Sequence, residues 1–134
     1  MYSPEDPKIK SSMQTVRERL WVNTAVGGVA RYKNDGYHQV SQDIDNVPGN
    51  PWFIPTLWVA EWLAEIADSE EGLTASRDLL DWAVEHSLPS GIMAEQLHPY
   101  SGEPLSVSPL TWSHAAYITS VHAYLRARDR LTIV

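Results

Sequence analysis

Apolar residues recur at helical spacing in four stretches of this chain, and no run of alternating apolar and polar positions is long enough to compete as a sheet. In the first stretch Ile9, Met13, Val16 and Leu20 follow at steps of four, three and four, with Asp6 suited to cap the helix and Pro7 to open it. The second begins in the same manner on Asn50 and Pro51. Its WFIPTLWVAEWLAEIA, however, is apolar almost all round, which predicts burial on most faces with Glu61 and Glu65 as the exceptions. Residues 70–87 set Ala75, Leu79, Trp82 and Ala83 on one face against Glu71, Arg77, Asp78 and Glu85, the pattern of an outer helix. Residues 110–130 turn Trp112, Ala115, Ala116, Ile118, Val121 and Leu125 inward and finish in RARDR, cations that suit a helix C-terminus. These patterns predict an all-α fold.

An inner, nearly all-apolar helix beside amphipathic ones points to stacked helical hairpins of the solenoid or toroid kind. No internal repeat supports a solenoid. A free-standing four-helix bundle is strained by residues 23–49, a connection without periodicity where bundles use about 2–8 residues. If the helices simply run up and down, that loop and the one from 88 to 109 emerge at the same end. The topology thus brings the two unusual loops together.

Composition narrows the function. With 134 residues and 43% of them hydrophobic, the chain has room for one core. A formal charge of −7 and the lack of any basic cluster speak against nucleic-acid binding. Without cysteine there is no disulfide, thiolate metal site or cysteine nucleophile. MYSPEDPKIK is polar and proline-broken, and no apolar run approaches the roughly 20 residues needed to cross a bilayer. The expectation is one domain over residues 1–134, soluble, not membrane-bound, and cytoplasmic if Met1 is the true start.

The first loop, GGVARYKNDGYHQV followed by GNPWF, combines Arg31, the carboxylates Asp35, Asp43 and Asp45, the rings of Tyr32 and Tyr37, and Trp52 at the next helix. Such a mixture suits a neutral sugar, whose hydroxyls need bidentate polar partners and whose apolar face packs on a ring. The plainer alternative is that the glycines only permit turns and that Arg31 pairs with Asp35 at the surface. In the second loop Glu95 is suited to act as a general base, with Gln96 beside it to orient a hydroxyl or water. Glycoside hydrolysis needs two carboxyl groups, about 6.5–9.5 Å apart when configuration is inverted, and only one good candidate is visible. Glu61 and Glu65 lie within a helix, and Glu103 lies in a Gly-Glu-Pro turn. The five histidines, His38, His86, His98, His114 and His122, show no close pair at ligand spacing, so neither a metal nor a cofactor is expected. No nucleophile-elbow sequence supports a serine triad.

Taken in order, GGVARYKNDGY, GNPWFIPTLWVAEWL and GIMAEQLHPYSGEPLSVSPLTWSHAAY resemble the C-terminal third of glucoamylase-type enzymes, glycoside hydrolase family 15. The resemblance runs from about Pro7 to Leu131. It implies an (α/α)6 toroid, of which these four helices would be the last two hairpins. It also implies an inverting attack on α-glucoside oligosaccharides, with Glu95 as general base and Trp112 at the ring of the non-reducing-end glucose. Arg31, Asp35 and Trp52 would line the site of the leaving sugar, with Tyr37 nearby and Gln96 beside the base. Asn34 stands where some relatives carry an acidic residue.

In that family the general acid precedes everything in this sequence, and no residue here matches it. A base alone cannot protonate a leaving oxygen, so little or no glycosidase activity is expected of this polypeptide by itself. Cutting a toroid would also bare the flanks of the second helix, which implies self-association or a partner supplying the missing N-terminal barrel helices. Trehalase or glucodextranase specificity on the same scaffold, a non-catalytic carbohydrate-binding or assembly module, and a purely structural helical domain are the alternatives.

Overall fold

A computed structural model describes residues 2–132. Helices α1 (Pro7–Arg19), α2 (Phe53–Ile66), α3 (Glu70–Glu85) and α4 (Thr111–Thr132) are joined by loops that carry four short strands. These are β1 (Val29–Ala30), β2 (Pro51–Trp52), β3 (Gln96–Leu97) and β4 (Pro104–Leu105), each of two residues. Among the described residues no helix is long and apolar enough to cross a membrane.

α2 is the centre of the molecule. Its Phe53, Ile54, Thr56, Leu57, Val59, Ala60, Leu63 and Ala64 are all buried, as an all-round apolar helix requires. Each fully buried Phe or Leu in this set stabilises the fold by about 1.5–3 kcal/mol. On one side α3 runs antiparallel to α2, with the Trp82 ring 5.4 Å from Phe53 and the Ser76 hydroxyl donating to the Ala60 carbonyl at 2.8 Å. On another, α1 lays Met13 and Val16, with Leu20 at its C-cap, against Val59 and Leu63, although none of the helix's residues is fully buried. Asp6 caps α1 as its position predicts, accepting from the Lys8 N–H at 2.8 Å, with Pro7 in the first turn.

α4 runs parallel to α2, and here the structure corrects the sequence. Trp112, Ala115 and Ile118 face outward; the buried positions are Ser113, Ala116, Ser120, Ala123 and Ala127. Small side chains let the two backbones approach so closely that the Ser120 hydroxyl donates to the Leu57 carbonyl at 2.9 Å. A Trp or Ile in that seam would hold the helices apart. At the far end Arg126 pairs with Glu65 at 2.8 Å, and Arg130 donates to the Ala67 carbonyl at 2.8 Å, satisfying the C-terminus of α2. With α1 and α3 outside and α2 and α4 parallel inside, the arrangement is two hairpins of an inner and outer helical ring. Trp58 and Trp112 meet edge to face on the bare side of the inner pair, with centroids 5.9 Å apart and planes inclined by 63°, and are 49% and 55% exposed.

The start of α2 is the second correction. Asn50 and Pro51 do not cap it: Pro51 belongs to β2, the helix begins at Phe53, and the proline of its first turn is Pro55. Asn50 is buried and its amide is taken elsewhere, donating to the His38 carbonyl at 2.7 Å and to Gln96 Oε1 at 2.9 Å. The first α2 N–H, that of Phe53, instead finds the Glu95 carbonyl at 3.3 Å.

The strands were not legible as a pattern, but they arrange the loops. They pair antiparallel in the order β1-β2-β3-β4, with Trp52 opposite Gln96 and Gln96 opposite Leu105. Gly28, just before β1, has φ +86°, and a Cβ there would lie 2.6 Å from Trp82 and 2.9 Å from Pro51. Only glycine meets both conditions. Trp82 also donates its Nε1–H to the Val26 carbonyl at 2.7 Å, so α3 pins the first loop.

Candidate functional site

The 23–49 loop and the 88–109 loop meet at one end of the bundle, joined by the β2–β3 pair and by side chains from both. At its centre lies the Arg31 guanidinium. Its Nε and Nη2 each donate to one oxygen of Asp35 at 2.9 Å, a bidentate fork, while its Cζ stands 4.5 Å from the Trp52 ring centre, 4.9 Å from Tyr32 and 5.4 Å from Tyr37. Asp35 is 1% exposed, so the plain reading of a surface pair does not hold. Gly49 and Ala30 close over it: a Cβ on Gly49 would sit 3.2 Å from each of Ala30 Cβ and Asp35 Cβ.

The electrostatics follow from that enclosure. Burial pushes the Asp35 carboxyl up. Hydrogen bonds from Arg31, from the Tyr37 backbone N–H at 3.1 Å and from Tyr32, together with the Arg31 charge, outweigh it and hold the carboxyl below its ordinary range. The same hydrogen bond holds the Arg31 guanidinium above its ordinary value. Asp43 and Asp45 stay outside the cluster. Asp43 accepts from the Asn46 side chain at 2.8 Å, which with the Asn46 N–H lowers its carboxyl, and Asp45 pairs with Lys33 at 3.0 Å. Asn34 adopts φ +60°, a conformation asparagine tolerates, and accepts from Gln39 at 3.2 Å.

Glu95 lies just before β3, half-buried, with its backbone N–H donating to Val107 O at 2.9 Å. Across the hairpin the Ser106 hydroxyl donates to Glu95 Oε2 and stands 3.1 Å from the Tyr37 phenol oxygen. Gln96 is fully buried and accepts from Asn50. Among the described residues two buried side-chain donors have no partner, Trp52 Nε1 and Gln96 Nε2, and they lie on opposed residues of the β2–β3 pair. A buried donor without a partner costs about 1–3 kcal/mol, a cost that both atoms carry beneath the surface of the β2–β3 pair.

The structure therefore gathers Arg31, Asp35, Tyr37, Trp52, Glu95 and Gln96 into one contact network. Trp112 joins by position: its neighbour Ser113 donates to the Ala94 carbonyl at 2.7 Å, which sets the start of α4 beside the segment that carries Glu95. Sequence reasoning missed Asn50, Ser106 and Trp58. Only Asn50 left a signal, a polar residue next to an apolar run, and that signal was read as a helix cap. No group of three His, Asp or Glu side chains placed to hold a metal occurs among the described residues. A cavity of about 860 Å³ between α1, α2 and α3, lined by Trp21, Trp62 and Ile66, holds none of these residues.

Comparison with known proteins assigns the chain. The sequence model of "Glycosyl hydrolases family 15" matches residues 68–122. An uncharacterized glycosyl hydrolase of Methanocaldococcus jannaschii is 34% identical over 72% of this chain, and a glucoamylase of a Clostridium species is 32% identical over 87%. A trehalase of Mycobacterium tuberculosis is 26% identical over 94%. The chain spans about one sixth of the length of these relatives, 16%, 16% and 17% in turn. In structure it is similar to a bacterial glucoamylase complexed with acarbose, with TM-score 0.74 and 25% identity, covering 93% of this chain and 18% of that one. The glucoamylase of Hormoconis resinae shares the fold at TM-score 0.65 and 22% identity, over 88% of this chain and 27% of that one. The family match, the relatives over most of the chain and the shared (α/α)6 helices agree: the chain belongs to glycoside hydrolase family 15.

Proposed function

We propose that residues 1–134 are a C-terminal segment of a glucoamylase-like catalytic barrel, and that they contribute the general base and part of the sugar site of an inverting α-glucoside hydrolase. The observation that carries this reading is the Glu95 carboxylate set beside the Arg31, Asp35, Tyr37 and Trp52 cluster at one end of two parallel helices.

In this reading Glu95 takes a proton from a water as its oxygen attacks the anomeric carbon. Trp112 packs on the sugar whose bond breaks, while Trp52 and Arg31 receive the leaving sugar. The leaving oxygen must gain a proton from an acid, and no residue of this sequence is matched to that role. The proposal therefore includes an acid from helices outside these residues. Those helices, or a second copy of the chain, would cover Trp58. The trehalases among the relatives make trehalose the second substrate to test.

The experiment has two parts. In the first, the chain is titrated with maltose and with trehalose while its amide resonances are followed. Shifts at Arg31, Tyr37, Trp52 and Glu95 support the reading, and their absence at high sugar removes it. In the second, the purified chain is assayed for glucose release. No turnover is expected, and turnover abolished by Glu95→Gln would show that the acid lies within these residues after all.

A further inference from the structure

Proton positions around Glu95 fix the direction of a contact that distance alone leaves open. A carboxylate only accepts, so the single hydroxyl proton of Ser106 is committed to Glu95 Oε2. The Tyr37 phenol oxygen, 3.1 Å from the same serine oxygen, is then the donor there. Glu95 Oε1 has no hydrogen bond among the described residues.

Both intermediates are held in place independently. Ser106 has φ +63°, a left-handed backbone that a residue with a Cβ keeps only where its surroundings over-determine it. Its neighbour Val107 accepts the Glu95 N–H at 2.9 Å, which fixes the register across the hairpin. Tyr37 is anchored from the other side: its N–H donates to Asp35 Oδ1 at 3.1 Å, and its ring lies 5.4 Å from Arg31 and 6.2 Å from Trp52. An unbroken path of contacts runs from the Arg31–Asp35 pair through Tyr37 and Ser106 to Glu95.

We propose that Tyr37 is a positioning residue for Glu95. By donating to Ser106 it holds the serine proton on Oε2, leaves Oε1 as the proton acceptor, and ties the carboxylate's orientation to the cluster that receives the leaving sugar. This rests on the reading of Glu95 as base. Its consequence is that a sugar docked against Arg31 and Trp52 is felt at Glu95 through side chains of both loops.

The test uses the full chain labelled with ¹³C at glutamate and tyrosine, at neutral pH, with the Glu95 carboxyl carbon assigned by its loss in Glu95→Gln. Tyr37→Phe keeps the ring, on a residue 43% exposed, and removes only the donor. It should shift the Glu95 resonance in the same direction as Ser106→Ala and by less, and should shift it no further when made on Ser106→Ala. Reciprocally, Ser106→Ala should move the Tyr37 Cζ resonance, a readout that leaves Tyr37 itself intact. The proposal is overturned if Tyr37→Phe leaves Glu95 unmoved, or if it moves Glu95 equally with and without the serine hydroxyl. Maltose separates this outcome from the parent reading. If the sugar perturbs neither Tyr37 nor Glu95 in the wild type, the sugar site falls whatever the variants do. If it perturbs both while Tyr37→Phe is silent, only the role of Tyr37 falls.

Discussion

Replacing Arg31 by alanine removes both prongs of the fork on Asp35 and leaves a carboxylate that is 1% exposed with only the Tyr37 N–H and the Tyr32 hydroxyl as donors. Removing one partner of a fully buried pair costs about 3–5 kcal/mol. The Arg31 side chain is 40% exposed, however, so water can enter the space it vacates and the charge term must be discounted. Charge-assisted hydrogen bonds and the lost stacking on Trp52 then give a cost of about 2–3 kcal/mol, or a fall in Tm of about 10 °C for a domain of this size. The sign with pH is a sharper test than the size. Asp35 is held below its ordinary range when folded, so its stabilisation is fully present above the ordinary carboxylate range and is lost as pH falls through its depressed value. Without Arg31, burial pushes that carboxyl up and the anion becomes a penalty at neutral pH. Urea unfolding of wild type and Arg31→Ala from pH 7 into acid should therefore show a gap that is widest at neutral pH and closes in acid. A gap that stays constant along the acid limb would refute the argument, as would Arg31→Ala costing as much on an Asp35→Asn background as alone.

Three further changes probe other joints. Gly28→Ala puts a methyl 2.6 Å from Trp82 at φ +86° and should cost about 2–4 kcal/mol in chemical denaturation, whereas Gly36→Ala, with nothing within 4 Å, should cost less than about 1 kcal/mol. Ala123→Leu overfills the α2–α4 seam at a residue with no exposure and should destabilise by about 1–3 kcal/mol, where Ile118→Leu, on an exposed site, changes little. Trp112→Ala should lower Tm by only a few degrees, since the ring is 55% exposed and its partner is Trp58, yet abolish the maltose-induced shifts.

What the sequence made legible was whatever depends on local period. The apolar stretch of α2, the Asp6-Pro7 start of α1 and the alternation of inner and outer helices could all be read because each is set by neighbours within a turn or two. The inward face of α4 could not, because hydrophobicity ranks Trp112 and Ile118 above Ser113 and Ser120, while the backbone spacing admits only the small residues. The strands were invisible since two residues carry no period. At the site, Arg31, Asp35, Tyr37, Trp52, Glu95 and Gln96 were identified by type and do converge. Ser106 was not, because its part depends on hairpin register and a left-handed backbone, neither of which a lone serine announces. Asn50 was misread because the same amide that could cap a helix is taken by His38 and Gln96.

The four-strand ribbon has a consequence for divergence. Its strands align the two loops through peptide groups, which every residue type shares, so the separation of Trp52 from Gln96 is set without reference to the side chains that meet a ligand. Substitutions at exposed loop positions such as Glu103 can then accumulate on a frame that does not move. A scaffold of this kind separates the spacing of the two loops from the side chains they carry, and relatives named glucoamylase and trehalase at 32% and 26% identity are compatible with such a separation.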